Sequence, residues 1–282
     1  MKLCFATLSI AAGLTVAALA QASNFHLLKP HETQPGEVIQ HQSVSDSQNG
    51  TITVDVGSKK KSGRISIKRS RTLERRMLGS GAKAKLQYRT LAELTTTTTE
   101  YGKTKDTNSK SGILLGKTVS GFRDNTKLWR LFLESGSADA ELTQQISELE
   151  AYENRRWFLS QPVRIGQSWL INPAFIRHLT ERDLGESEVK AAMTFKSIET
   201  IDDEPSAVLT FKIETLGKNI DANQELKSAA RISLNGVIYL SLKTMLDKKS
   251  RMLGTLTTMA NEDGRTTVVS LPVDMTVEKS IR

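Results

Sequence analysis

Apolar and polar residues alternate along most of the chain after residue 50, and this two-residue period is typical of strands with one buried face. A first run covers 51–56 and continues after the loop 57–63. Further strands are predicted over 83–101 and 113–133, and from residue 189 the alternation is almost continuous. One-sided strands of this kind indicate antiparallel sheets with one solvated face, and not the parallel sheet of a doubly wound enzyme.

One segment has helical periodicity instead. Leu142, Ile146, Leu149 and Tyr152 recur at helical spacing, and Ser137 is placed to cap the first turn. We therefore expect an amphipathic helix near 138–153 that covers one opening of the sheet. The predicted fold class is mainly β (α+β): a curved antiparallel sheet, or a partly open β-barrel or sandwich, with this one helix.

Two turns and one edge strand can be predicted from glycine and proline positions. Asn235-Gly236, between two alternating runs, predicts a hairpin with a bulged three-residue loop, because this loop pairs Ile232 with Ile238 on the buried face. Glu262-Asp263-Gly264 predicts a second turn. Pro272 cannot donate to a ladder, so we expect the last strand to lie near an edge of the sheet.

The N-terminus resembles a secretory signal peptide over residues 1–22. An apolar run of 17 residues, Leu3–Leu19, is followed by the small-residue segment Ala20-Gln21-Ala22, and the run is marginal against the roughly 20 residues of a membrane-spanning helix. We expect export to the bacterial periplasm or the extracellular space. Residues 23–49 show neither period and are predicted to be a flexible leader, followed by an antiparallel β domain over 50–282 that divides into two similar halves, 50–133 and 163–282, joined by the helix.

Composition and the absence of known motifs exclude several kinds of functional site. Cys4 is the single cysteine and lies in the predicted signal, so an exported chain has no thiol for a disulfide, a zinc site or a nucleophile. The sequence contains no Gly-x-Ser-x-Gly elbow, phosphate-binding glycine loop or His-Glu-x-x-His helix. We expect binding without catalysis, no cofactor and no nucleotide. A hydrolase with dispersed catalytic residues stays open as an alternative.

Basic residues are concentrated in one window of a chain whose formal net charge is +8. Twelve lysines and arginines lie between Lys59 and Arg89, against the single acid Glu74. Such a cluster can bind a polyanion, but a solvated strand face explains it as well and is favoured, because Tyr88 is the only aromatic residue in the window. The candidate polyanion-binding residues are Lys59, Lys60, Lys61, Arg64, Lys68, Arg69, Arg71, Arg75 and Arg76.

The apolar rows of the predicted sheet have two interpretations. They can form a packed core, which their periodicity favours, or they can line a cavity that holds an acyl chain. A lipid carrier is therefore an alternative function. The candidate interior residues are Trp169, Met193, Phe195, Leu209, Phe211, Ile232, Ile238 and Leu240.

Histidines and carboxylates supply weaker candidates. The leader carries three histidines and two glutamates, whose spacing matches no compact zinc pattern, and a polar turn around Gly185 carries four carboxylates that could pair for glycoside hydrolysis. A flexible tail and a solvated turn explain these two groups as well. The residues concerned are His26, His31, His41, Glu32 and Glu37, then Glu181, Asp183, Glu186 and Glu188, with His178 as an isolated candidate base.

The segment Arg156–Trp169 contains Pro162-Val163-x-x-Gly166-x-x-Trp169 after a helix and before several long hairpins. This arrangement resembles a group of exported bacterial β-rich proteins of unassigned function, over roughly Gly50–Arg282. The chain departs from the group at Gln167, where an acidic residue is more usual, and in its basic N-terminal third. The resemblance implies export and a curved antiparallel sheet, and it brings no active-site residues. We expect a cell-envelope binding or structural protein with an anionic or amphiphilic partner.

Overall fold

The computed structural model describes residues 25–57, 59–79, 84–173, 176, 186–220, 226–262 and 264–282, so the predicted signal peptide lies outside the described residues. The described elements are β1 (Phe25–His26), β2 (Val38–Val56), β3 (Lys59–Leu78), β4 (Lys85–Tyr101), β5 (Thr104–Ser111), β6 (Thr118–Arg123), β7 (Trp129–Leu133), α1 (Ala140–Glu153), β8 (Val163–Arg164), β9 (Ser168–Leu170), β10 (Glu186–Ile201), β11 (Glu204–Ile220), β12 (Leu226–Ser241), β13 (Asp247–Glu262) and β14 (Arg265–Ile281).

Twelve of these strands form one antiparallel sheet in the order β7-β6-β4-β3-β2-β14-β13-β12-β11-β10-β9, with β5 paired to the distal half of β4. β1 and β8 form a separate pair. Because β2 is hydrogen-bonded to β14, the strands before and after α1 belong to the same sheet. Its terminal strands, β7 and β9, are not paired with each other in the described chain. The predicted fold class is therefore confirmed as mainly β, with an open antiparallel sheet and, among the described elements, the helix α1.

Two buried apolar clusters lie on one face of the sheet, which we call the inner face. The first contains residues of β9–β12, including Trp169 and Phe195, together with Leu28 and Ile171. The second contains residues of β3, β4, β6 and β7 packed against Leu142, Ile146 and Leu149 of α1. The helix and the connection 154–173 thus cover part of the inner face.

The helix begins slightly later than predicted. Its N-cap is Asp139, whose carboxylate accepts a hydrogen bond of 2.8 Å from the backbone N–H of Leu142. The Ser137 cap was therefore wrong, because a helix that starts at Ala140 presents its free N–H groups two residues beyond that hydroxyl. The apolar spacing was correct, since Leu142, Ile146 and Leu149 are all buried.

Residues 38–49 do not belong to an unordered leader but form the first part of β2, paired with both β3 and β14. The prediction failed there for a physical reason. The inner-facing positions after Ile39 are His41, Ser43 and Ser45, so the strand lacks the apolar alternation that identifies strands from sequence.

Pro272 and Gly236 were also placed incorrectly. β14 is paired on both sides, and Pro272 lies in an interruption of the β14–β2 ladder between Ser270 and Met275, where a missing N–H is tolerated. β12 runs straight through Gly236, so the predicted hairpin there is wrong. A Cβ at Gly236 would lie 2.2 Å from Cζ of Phe211, which shows that this glycine makes room for a ring. The predicted turn before β14 is confirmed, with Gly264 at a φ of +74°.

Candidate functional site

A cavity of about 480 Å³ lies between the inner face and the cover formed by α1 and the connection that follows it. It separates the two buried clusters, so the inner face is packed at both sides and open in the middle. From the cover, Leu149, Trp157 and Ile171 line the cavity. The strands supply the rest of the wall, and their contributions differ sharply from one half of the sheet to the other.

The wall formed by β10–β14 is mainly apolar. Its side chains come from consecutive neighbouring strands and share one face because each strand contributes alternate residues. They include three methionines, whose flexible thioether chains adapt to irregular apolar partners. These apolar side chains are Met193, Phe211, Ile213, Leu234, Ile238, Met252, Met275 and Val277.

The wall formed by β2, β3 and α1 carries the opposite chemistry. Two serines of β2 stand directly beside two arginines of β3, and α1 adds an amide and a carboxylate. The cavity is therefore amphiphilic, with an apolar side and a polar side. The polar side chains are Ser43, Ser45, Arg69, Arg71, Gln145 and Glu148.

Arg69 and Arg71 share the buried carboxylate of Glu93 unequally. Nε of Arg69 donates to Oε1 of Glu93 at 3.1 Å, whereas Nε of Arg71 is 3.8 Å from Oε2, beyond hydrogen-bonding range. Both Nε and Nη2 of Arg71 are buried and have no hydrogen-bond partner in the described chain. Burial, only partly offset by Glu93, lowers the pKa of Arg71 from its ordinary value. This guanidinium is thus poorly compensated within the protein.

A second polar group lies at one end of the cavity, between it and a neighbouring pocket. We call it the ion-pair layer: His41, Arg75, Tyr88, Tyr152, Glu153, Arg155, Asp247 and Lys279. Arg75 donates to both oxygens of Glu153, each at 2.8 Å, and Tyr88 donates its hydroxyl to the same carboxylate. Burial opposes ionisation of Glu153, but Arg75, Arg155 and the Tyr88 hydroxyl together outweigh burial and lower the pKa of this carboxyl to about 2.

Asp247 is the second carboxylate of the layer. It forms an ion pair with Lys279, accepts a hydrogen bond of 3.2 Å from the hydroxyl of Tyr152, and lies 4.0 Å from Nη2 of Arg155. Burial acts to raise the pKa of Asp247, yet Lys279 and Arg155 lower it to about 2. Arg155 also stacks 3.8 Å above the ring of Tyr152. Both carboxylates are therefore held in their ionised form.

The three leader histidines lie in separate places. His41 sits in the ion-pair layer, where burial and then Lys279 lower its pKa to about 3. His31 contacts the carbonyl oxygen of Thr244 at 2.6 Å, and His26 packs edge-on against Phe195. In the part of the chain that the structure describes, no three histidine, cysteine or acidic side chains meet as metal ligands.

The structure divides the basic window between two faces. Because side chains alternate along β3, Arg69, Arg71 and Arg75 point to the inner face and are half-buried. The other candidate polyanion-binding residues are exposed on the opposite face or at the β2–β3 hairpin: Lys59, Lys60, Lys61, Arg64, Lys68 and Arg76. The nine candidates therefore do not form one surface.

The predicted interior residues all lie on the inner side. Met193, Phe211 and Ile238 line the cavity, and Ile232 is half-buried further along the same row of β12. The others belong to the first packed cluster: Trp169, Phe195, Leu209 and Leu240. Glu188 is exposed in β10, while His178, Glu181, Asp183 and the side chain of Glu186 lie outside the described residues.

Sequence reasoning missed the polar contributions of the helix and of β13–β14. No sequence motif contains Gln145, Asp247 or Lys279. These residues are far apart in the sequence, and only the fold brings them to one cavity. One signal was present in the sequence. Arg71 and Arg75 alternate with Leu73 and Met77, so arginines occupy core-facing positions of an otherwise apolar row.

No family model matches the chain, and no curated protein matches it. The chain has a distant structural similarity to lipovitellin, described for its lipid–protein interactions, with a TM-score of 0.45 and 9% identity over 89% of this chain and 26% of that chain. A DUF1329 family protein from Desulfovibrio piger matches with a TM-score of 0.19 and 12% identity over 85% of each chain. The COG4313 outer membrane channel from Pseudomonas putida matches with a TM-score of 0.23 and 8% identity over 86% of this chain and 97% of that chain. The chain thus spans about a quarter of the lipovitellin chain. These similarities assign no family. Within the described residues, no helix is both long and apolar enough to cross a membrane.

Proposed function

We propose that this chain is an exported, non-catalytic binding protein for an amphiphile, whose apolar chain lies in the cavity of the inner face. The observation that carries the proposal is the wall of eight apolar side chains from β10–β14 around an open volume of about 480 Å³. Sites for small organic ligands are commonly concave, mainly apolar and about 300–1,000 Å³ in volume. Export rests on the N-terminal pattern of the sequence.

The packing around the cavity supports this function. Side chains that line an open volume lack partner atoms on one side and lose the dispersion contacts of a close-packed interior. An alkyl chain that enters the cavity restores those contacts and removes apolar surface from water. Such binding needs no specific hydrogen bond, and it suits a wall made of Met, Ile and Leu.

The apolar surface also continues beyond the helix. Ile232, Leu256 and Leu271 stand side by side on neighbouring strands, on the same face as the cavity, and each is half-buried. A ligand chain longer than the cavity can extend along this row. The opposite face of the same strands is polar, with a bidentate pair between Arg251 and Asp274.

The ionisable groups near the cavity favour binding over catalysis. A general acid at neutral pH requires a raised carboxyl pKa, whereas burial of Glu153 and Asp247 is outweighed by their cationic partners and both pKa values fall to about 2. Both carboxylates are already engaged by basic side chains. Their arrangement is that of structural ion pairs that hold the cover on the sheet.

Filling the cavity tests the proposal. Leu234→Trp places a larger ring in the apolar wall, and Leu253→Trp makes the same change on the opposite face of the adjacent strand, where Leu253 is 45% exposed. Binding of palmitate and of hexadecanol is measured by calorimetry below the critical micelle concentration, with thermal unfolding as the folding control. We expect Leu234→Trp to weaken both ligands tenfold or more and Leu253→Trp to leave them unchanged. The proposal fails if the wild type binds neither ligand, or if folded Leu234→Trp binds both as the wild type does.

A further inference from the structure

We infer that the headgroup of the ligand is an oxyanion, a carboxylate or a phosphate, held by the guanidinium of Arg71 beside the side-chain amide of Gln145. This inference rests on the proposed function, because it assigns the polar end of the same amphiphile. It deepens that function by naming the chemistry that the cavity selects.

Arg71 has buried hydrogen-bond donors that are unsatisfied in the described chain. Nε and Nη2 of Arg71 and Oε1 of Gln145 are buried without a hydrogen-bond partner in the described chain, and both side chains line the cavity. Buried polar atoms without partners are rare and costly in folded proteins. A guanidinium has donors and no acceptor, so only an acceptor can satisfy it, and its planar fork matches the two oxygens of a carboxylate or phosphate. The unpartnered atom of Gln145 is the acceptor Oε1, so this amide contributes to the same head only when it is turned with its NH2 group towards the oxygens.

The positive charge of Arg71 is only partly balanced by neighbouring carboxylates. Glu93 is engaged by Arg69 through Oε1, so its charge is already shared when Arg71 approaches Oε2 at 3.8 Å. Glu148 of α1, the other carboxylate on this side, offsets the burial of Arg71 through its charge, as Glu93 does, but the two together do not restore the ordinary pKa of this guanidinium. Arg71 therefore presents a cationic group to an enclosed volume in which it is weakly hydrated, and there an anion binds more strongly than at the surface.

The polar and apolar walls face one shared volume. The same volume is bounded by Arg71 and Ser43 on β2–β3 and by the apolar wall on β10–β14. A single molecule can therefore place an anionic head on one side and an alkyl chain on the other. A cationic head beside Arg71 would be repelled by the two arginines, whereas an anionic head there lies near the carboxylates of Glu93 and Glu148 as well.

The experiment compares ligands that share one alkyl chain and differ in the head: palmitate, hexadecyl phosphate, hexadecanol and hexadecyltrimethylammonium, with inorganic phosphate as the head without a chain. We expect the two oxyanionic amphiphiles to bind the wild type roughly tenfold to a hundredfold more tightly than hexadecanol, since a hydrogen bond to a charged group is worth that factor. The cationic amphiphile should be weakest. Whichever oxyanion binds more tightly identifies the preferred head.

Arg71→Met and Arg76→Met provide a matched pair, because both remove one arginine from β3 but Arg76 is exposed on the opposite face. Arg71→Met should lose the preference for palmitate and hexadecyl phosphate over hexadecanol, while its affinity for hexadecanol stays the same. Arg76→Met should behave as the wild type. Thermal unfolding establishes that each variant is folded, and if Arg71→Met does not fold, the wild-type ligand series decides alone.

The outcomes separate the two proposals. If the four amphiphiles bind equally, or if folded Arg71→Met keeps the oxyanion preference, the headgroup inference is overturned and the cavity function stands. If no alkyl ligand binds, the proposed function itself fails. Inorganic phosphate that binds as tightly as hexadecyl phosphate would show an anion site that needs no alkyl chain, which also overturns the inference.

Discussion

Replacing Glu153 by glutamine tests whether the ion-pair layer stabilises the packing of α1 on the sheet. The Glu153 side chain is 5% exposed and receives both donors of Arg75 at 2.8 Å. Glutamine keeps the shape and an acceptor oxygen but removes the charge. The variant therefore leaves the guanidinium of Arg75, whose side chain is 14% exposed, in a buried place without a counter-ion.

Two estimates of the free energy of unfolding that Glu153→Gln loses agree in magnitude. Removing one partner of a buried ion pair costs about 3–5 kcal/mol. Independently, burial raises the pKa of Glu153, but Arg75, Arg155 and Tyr88 together outweigh burial and lower it from 4.5 to about 2, which corresponds to about 3 kcal/mol of stability at neutral pH. Because the folded-state pKa is lowered, this stability is present above about pH 5 and is lost as the pH falls from there through 2.

The assay is urea unfolding of the wild type and Glu153→Gln at pH 7 and pH 4. We expect the variant to lose about 3 kcal/mol or more at pH 7, and the difference from the wild type to narrow at pH 4. Glu141→Gln is the control, since Glu141 is 59% exposed in the same helix and its pair with Lys110 is worth at most about 1 kcal/mol. The double variant Arg75→Met/Glu153→Leu should recover most of the loss.

The stabilising role of the ion-pair layer is refuted if Glu153→Gln loses no more free energy of unfolding than Glu141→Gln does. It is also refuted if the loss in Glu153→Gln is the same at pH 7 and pH 4, because an ionised carboxylate would then not be its source.

Two further predictions concern single positions. Burial and then Lys279 lower the pKa of His41 from 6.5 to about 3, so below pH 6.5 the unfolded chain binds a proton that the folded chain does not bind. In urea unfolding, the wild type should therefore lose about 2 kcal/mol of stability between pH 7 and pH 5, and His41→Gln should not. The same loss of stability in both proteins would contradict this prediction. Gly236→Ala should lower the free energy of unfolding by about 1–3 kcal/mol, because its Cβ would lie 2.2 Å from Cζ of Phe211. The loss should shrink when Phe211→Leu is added, and an undiminished loss in the double variant would show another cause.

The strands and the helix could be predicted because their signals are local. An alternating strand shows its buried face in six or eight residues, and α1 shows its face in four apolar positions. Where the inner face is polar, as at His41, Ser43 and Ser45 of β2, the apolar alternation is absent. The sequence of this paired strand therefore looks like that of a flexible leader. The sequence alone thus established the fold class, the helix and the inner position of the apolar residues.

The candidate site was decided by tertiary structure, because it is made of contacts that no local pattern encodes. Arg75 meets Glu153 across 78 residues, and Lys279 meets Tyr152 across 127. Pairing of β2 with β14 brings the arginines of β3 next to the apolar wall of β10–β14, and the sequence shows the two only as separate windows. Whether an apolar row is packed or lines a cavity depends on how far the cover stands from the sheet, and only the folded chain fixes that distance.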